Sequence, residues 1–297
     1  MERVNIAASM RDIKWAIALA KSIIKHPIRA IPLLIGIGLV FFGAQNYEPP
    51  TEPNEAQNSA PTQSQPTDSQ GATAPQAAIA QNNPCPVHLP NGLPTGTPAT
   101  NDLVVRDIYC LSSNDRSKFA DWVAFRLDRA TITGSSDQDR EWEADPKIHR
   151  DETLEPEDFR GAYKWGNYDR GHLAPLASFR GKNWQQVNYL SNITPQKAAL
   201  NRGTWKELED YERDLVQEYG EVYVIVGTAY DNQPLSLINA DEPNDIPDYF
   251  WRIIQYGNTT EAYLLPQETP SSTDFRQGKT TVQEIERWTG LNFGLQK

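Results

Sequence analysis

Residues 47–84 limit what the rest of this chain can do. From Tyr47-Glu48-Pro49-Pro50 to Gln81-Asn82-Asn83-Pro84 the residues are mostly Pro, Gln, Ser, Thr and Ala, with four acids and no Lys or Arg. Such a stretch cannot bury enough apolar surface to offset the entropy of ordering it. It reads as a disordered tether. It divides the 297 residues into an N-terminal segment, 1–46, and one globular domain, 85–297, where aromatic and aliphatic patterning begins.

The N-terminal segment carries six Lys/Arg against Glu2 and Asp12, a charge of +4. Residues 30–44, Ala30-Ile31-Pro32 through Phe42-Gly43-Ala44, follow with no charge. A basic flank ahead of an apolar run keeps the N-terminus in the cytoplasm. The run falls short of the ~20 residues of a full span; widening it to 28–45 requires Arg29 to snorkel. Three readings stay open: an uncleaved signal-anchor, a signal peptide cleaved near Gly43-Ala44-Gln45, or a buried soluble helix. Upstream, Ile6, Met10, Ile13, Ile17, Ala20 and Ile24 form a stripe with Lys14, Lys21 and Lys25 off it. That stripe suits a helix on the inner membrane face or an extension of the basic region.

A signal-anchor makes a single-pass membrane protein with the domain outside the cytoplasm. A cleaved signal makes it secreted or periplasmic. Either way the domain meets an oxidising space, which predicts a Cys85–Cys110 disulfide. That bond would pin the start of the domain to a strand at 108–111. The two cysteines form no CxxC or Cys/His zinc spacing.

Within the domain, strands are expected at Trp122–Leu127, Glu221–Gly227, Tyr249–Ile254 and Ala262–Leu265. A helix is expected over Arg202–Tyr219, with Trp205, Leu208, Tyr211, Leu215 and Tyr219 as its apolar face and Gly220 at its end. Strands outnumber helices, so the class is α+β.

The net charge of −11 argues against nucleic-acid binding through the overall field. The charge is unevenly placed. Residues 160–213 hold nine Lys/Arg and five acids, a local +4, while 85–159 total −7 and 214–297 total −8. A solvated charged face gives such a bias without any ligand. The basic stretch, however, also holds the chain's most chemically loaded motif, Tyr168-Asp169-Arg170-Gly171-His172-Leu173-Ala174-Pro175. Of the domain's histidines, His88, His149 and His172, only the last is flanked by an acid, an Arg and a Gly. Histidine's ordinary pKa of ~6.5 suits proton abstraction near neutrality, and Arg170 has a fork that fits phosphate oxygens. Downstream, Asn201, Glu209 and Arg213 fall on one helical stripe at steps of eight and four. Two plainer readings compete: Asn201 as a helix N-cap and Glu209–Arg213 as a surface ion pair.

Asp169-Arg170-Gly171-His172, Asn192…Pro195-Gln196 and Leu200-Asn201 together resemble the DNA/RNA non-specific endonuclease family, the ββα-metal nucleases. The resemblance runs over most of 85–297, taking in Trp122-Val123-Ala124-Phe125, Phe250-Trp251-Arg252 and Thr289-Gly290-Leu291. It departs at Val187-Asn188-Tyr189-Leu190, where many members have a Thr-Phe pair. It implies a central antiparallel sheet flanked by helices and Mg²⁺-dependent hydrolysis of DNA and RNA, with Mn²⁺ also suitable. It implies His172 as general base, Asn201 as the protein's metal ligand and Glu209 as holder of the metal's water shell. Arg213 and Arg140 would bind phosphate, and Arg170 would orient substrate or the loop. Two other functions compete: a non-catalytic nucleic-acid-binding or DNA-uptake module at the cell surface, and a narrower phosphodiesterase or phosphatase.

Overall fold

The computed structural model describes residues 83–135, 140–181, 183–231 and 235–295. The apolar run 30–44, the basic segment before it and the tether through residue 82 lie outside the described residues. Among the described residues no helix is long and apolar enough to cross a membrane.

Seven strands form one antiparallel sheet: β1 (Asp102–Val105), β2 (Cys110–Ser113), β3 (Ala120–Asp128), β6 (Glu221–Ala229), β7 (Tyr249–Tyr256), β8 (Thr259–Pro266) and β9 (Lys279–Thr280), side by side in that order. A second, two-stranded sheet pairs β4 (Tyr168–His172) with β5 (Ile193–Lys197). The helices are α1 (Ala162–Gly166), α2 (Ala198–Arg202), α3 (Thr204–Tyr219) and α4 (Val282–Thr289). The class is thus mixed, with a central antiparallel sheet.

Alternation along the strands builds two cores, one on each face of the large sheet. Val123, Phe125 and Leu127 of β3, Val222, Val224 and Val226 of β6, and Phe250 and Ile254 of β7 pack with Trp205, Leu208 and Leu215 of α3. The intervening Trp122, Ala124, Ile225, Trp251 and Ile253 pack with Ile285 of α4, Leu291 and Phe293. Cys85 and Cys110 join this second core and are disulfide-bonded, with Cα atoms 6.4 Å apart.

β3 and β6 are neighbours, with Asp128 the partner of Glu221. The chain between them, which carries β4, β5 and α1–α3, leaves and rejoins the sheet at one point. Arg126 spans this neck, donating from Nη1 to Asp128 at 2.8 Å and from Nε to Glu221 at 2.8 Å.

Two local expectations shift. The strand expected at 108–111 is Cys110–Ser113; Tyr109 is held in a turn by Arg106 N–H and donates its hydroxyl to the Gln186 carbonyl at 2.8 Å. The single helix from Arg202 is two helices, because Gly203 takes φ −113, ψ −108 between them. A Cβ there would stand 2.4 Å from the Ser271 carbonyl oxygen. On α3, Tyr219 is exposed, and the buried stripe takes in Glu212 and Val216 instead.

Candidate active site

Strand β4 runs antiparallel to β5, with Asp169 opposite Gln196 and His172 opposite Ile193. β5 leads directly into α2. The break at Gly203 puts Asn201 on α2, while Glu209 and Arg213 are on α3. The continuous stripe of steps eight and four is therefore corrected: these residues sit on two helices. Nor is Asn201 a cap, since Lys197 and Gly203 occupy the N-cap positions.

His172 ends β4, half-buried against the Trp142 ring, with centroids 5.3 Å apart. Its Nε2 lies 3.1 Å from the side-chain oxygen of Asn188. An amide oxygen only accepts, so Nε2 carries the proton and the lone pair is on Nδ1. Burial pushes the imidazole down to about 4, against the raising effect of the Asn188 bond and with a smaller lowering from Arg140. The ring is therefore neutral at physiological pH, the form a general base requires.

Asn201 donates from Nδ2 to Asp169 at 3.0 Å. A carboxylate only accepts, so the amide nitrogen must face it and Oδ1 points elsewhere. Asp169 is itself gripped by Arg202, through Nε at 2.8 Å and Nη2 at 2.6 Å. That bidentate fork fixes the carboxylate and, through it, the Asn201 rotamer.

Glu209 and Glu212 share one cation, Arg252. Nη1 of Arg252 donates to Glu212 at 2.9 Å, and Nη2 lies 3.8 Å from Glu209. Nη2 also donates to the carbonyl of Leu173, next to His172, at 2.9 Å. The guanidinium stacks on Trp205, 4.4 Å from the ring centroid. Burial pushes Glu209 up to about 8, opposed by Arg252 and raised further by Glu212. Glu212, also buried, is pushed up to about 7, opposed by Arg252.

Arg213 does not pair with Glu209 in the expected surface bridge. It reaches Ser178 Oγ at 3.0 Å and pairs with Asp210. Arg170 donates from Nη2 to the Pro156 carbonyl at 2.7 Å and lies against Phe159 and Trp142, at 5.3 and 5.5 Å. Its side chain is thus tied to the 156–159 loop, and burial lowers its pKa. Arg140 is exposed and close enough to act on the His172 charge.

Four participants escaped the sequence reading: Asn188, Trp142, Glu212 and Arg252. Asn188 lies in the stretch that departs from the family pattern, which was a signal. Arg252 holds a core-facing parity between Phe250 and Ile254 on β7, and a charge at such a position requires a partner. Acidic groups close enough to hold a cation occur elsewhere, at Glu155–Asp158–Asp241–Glu242 and at Asp102–Asp115–Glu152.

A neutral buried imidazole beside an arginine-rich hairpin and helix defines a phosphodiester-cleaving class of protein, and comparison with known proteins agrees. The family model "DNA/RNA non-specific endonuclease" matches residues 91–296. A nuclease of Serratia marcescens is 41% identical over 208 residues, covering 67% of this chain and 77% of that one. Human mitochondrial endonuclease G is 29% identical over 215 residues, covering 67% and 71%. The fold is similar to a solved structure of an EndoG/EndoGI complex, with TM-score 0.61 and 23% identity, covering 75% of this chain and 93% of that one. The chain belongs to the DNA/RNA non-specific endonuclease family, a family of hydrolases.

Proposed function

We propose that the domain cuts internal phosphodiester bonds of DNA and RNA with little sequence preference, using His172 as general base and Mg²⁺ held by Asn201. The observation that carries this reading is the neutral His172 ring, its Nε2 engaged by Asn188 and its Nδ1 lone pair left for water. Nδ1 takes a proton from the water molecule, whose oxygen attacks phosphorus. The bond to the 3′-oxygen breaks, leaving a 5′-phosphate. Arg213 and Arg140 neutralise charge that builds on the phosphate oxygens.

The residues fit a hard divalent cation. Oδ1 of Asn201 is the neutral oxygen ligand, because Asp169 claims the nitrogen. Glu209, desolvated and pushed up to about 8, regains its charge beside a hydrated dication and would hold its water shell. When bound, the ion supplies Lewis-acid polarisation of phosphate oxygens. Mn²⁺ suits the same donors.

The deciding experiment is digestion of circular plasmid and of a structured RNA with Mg²⁺, with EDTA as control. Linear and then short products, lost in EDTA, are expected. Retarded but uncut plasmid would instead support a binding or uptake module. Inert plasmid with cleavage of small phosphodiesters would indicate a narrower phosphodiesterase.

We also infer that the domain works outside the cytoplasm, held to the membrane near residues 28–45 or released by cleavage there. The +4 flank before the apolar run and the Cys85–Cys110 bond support this. External protease on intact spheroplasts should remove the domain, and the cysteines should resist alkylation until reduced. A shielded domain with free thiols would overturn this placement.

A further inference from the structure

The described residues expose three aromatic side chains, Tyr163, Trp165 and Tyr219. Two of these share α1, a single helical turn just before the His172 strand. Tyr163 is 52% exposed and Trp165 43%. Lys164 between them is exposed, with no hydrogen-bond or ion-pair partner among the described residues. Leaving a tryptophan and a tyrosine in water forgoes the burial that large apolar side chains favour. Nothing in either core requires them there.

Their surroundings carry positive charge. The Arg202 guanidinium lies 5.2 Å from the Tyr163 ring centroid while its nitrogens hold Asp169. Trp165 leans on Tyr168, with centroids 5.8 Å apart, and Tyr168 carries the Lys197 ammonium 4.2 Å from its own centroid. Lys197 is anchored to the Gly166 carbonyl at 2.8 Å and lies 3.3 Å from Glu268. From the Tyr163 ring, two contacts lead to the candidate metal ligand: ring to Arg202 and Asp169, then Asp169 to Asn201.

We propose that Tyr163 and Trp165 form a stacking platform for unpaired bases of a single-stranded stretch of DNA or RNA, whose backbone passes Lys164 and Arg202 toward Asn201. This rests on the nuclease reading above and adds a substrate form to it. Aromatic faces interleaved with cations are the chemistry that recognises single strands: every base has a π-face, so stacking holds a strand without reading its sequence. In a stable duplex the bases are already stacked on one another, so the platform offers them little. The platform therefore discriminates by strandedness, and it lies beside the catalytic groups without belonging to them.

The test uses the full chain carrying His172→Ala, which removes cutting, and a short fluorescein-labelled oligothymidylate. The comparison probes are the same strand with central abasic sites and a stable hairpin duplex. The His172→Ala protein should bind the oligothymidylate about tenfold more tightly than its abasic counterpart. Adding Tyr163→Ala and Trp165→Ala should erase that difference and leave duplex binding within about twofold, while Trp165→Phe should keep most of it. In the otherwise wild-type enzyme, the same two alanines should raise KM for single strands and spare KM for duplex. Equal affinity for the base-bearing and abasic strands, or a loss shared by the duplex, would overturn the platform. These results are separable from the catalytic reading: a wild type that cuts nothing but binds oligothymidylate base-dependently keeps the platform and removes the nuclease.

Discussion

Asn188 accepts a hydrogen bond from His172 Nε2 at 3.1 Å, and by doing so selects the ring tautomer. Asn188→Leu should therefore lower kcat by about 10–100-fold with KM nearly unchanged, because the proton is free to move to Nδ1. Asn188→Asp should move the acid limb of kcat/KM upward, since a carboxylate favours imidazolium. Steady-state rates across pH check both, and an unmoved acid limb in Asn188→Asp would break the link.

In the unaltered protein that acid limb should lie well below the ordinary histidine value. Burial pushes His172 down to about 4, so the neutral base persists at pH 5, where an exposed histidine would be mostly charged. The sign for stability follows. Between about 6.5 and about 4 the unfolded chain takes up a proton that the folded ring refuses, so this residue's contribution falls as pH drops through that window. His172→Phe should reduce the acid-side loss in thermal melts. An acid limb at 6.5 would place the ring in a wetter site than the one described.

Glu209 and Glu212 act in the opposite sense. Their folded values, about 8 and about 7, lie above the ordinary 4.5. Between these limits the folded state holds more protons, so stability in EDTA should fall as pH rises from about 5 to about 8. Divalent cation should flatten that slope in the wild type and not in Glu209→Gln. Melting temperatures across pH, with and without Mg²⁺, give the answer.

Arg252→Ala should be costly even though the residue touches no substrate. It leaves Glu212 and the Leu173 carbonyl without their donor in a dry core, a loss of about 3–5 kcal/mol by urea unfolding. Arg252→Lys keeps a cation but not the fork that reaches both groups, and should recover only part.

Asn201→Ala should raise the Mg²⁺ concentration needed for half-maximal cleavage, because the remaining groups hold only the ion's waters. Isothermal titration of Mg²⁺ into the protein reads the same loss without turnover. An unchanged titration removes Asn201 from the metal site.

Much of this was legible in the chain because it is local. The strands at 120–128, 221–229, 249–256 and 259–266 announce themselves through runs of β-branched and aromatic residues. His172 and Asn201 stand in short motifs that resemble a family. What escaped depends on register between distant segments. Arg252 meets α3 only because β7 turns that side of its pleat toward the helix. Asn188 reaches His172 across 16 positions of irregular chain. The break at Gly203 follows from the Ser271 carbonyl passing within 2.4 Å of where a side chain would begin, a neighbour 68 residues away that no helical periodicity reveals.

The neck at Asp128 and Glu221 has a consequence for inheritance. Everything that touches the scissile bond enters and leaves the sheet between two adjacent strands, with Arg126 closing the gap. The ladder on either side keeps its pairing whatever the excursion contains. Lineages could lengthen, rewire or replace the cutting apparatus as a cassette while the frame beneath it stayed in register. Changes in substrate preference could then accumulate in this excursion without each having to be reconciled with the folding of the sheet.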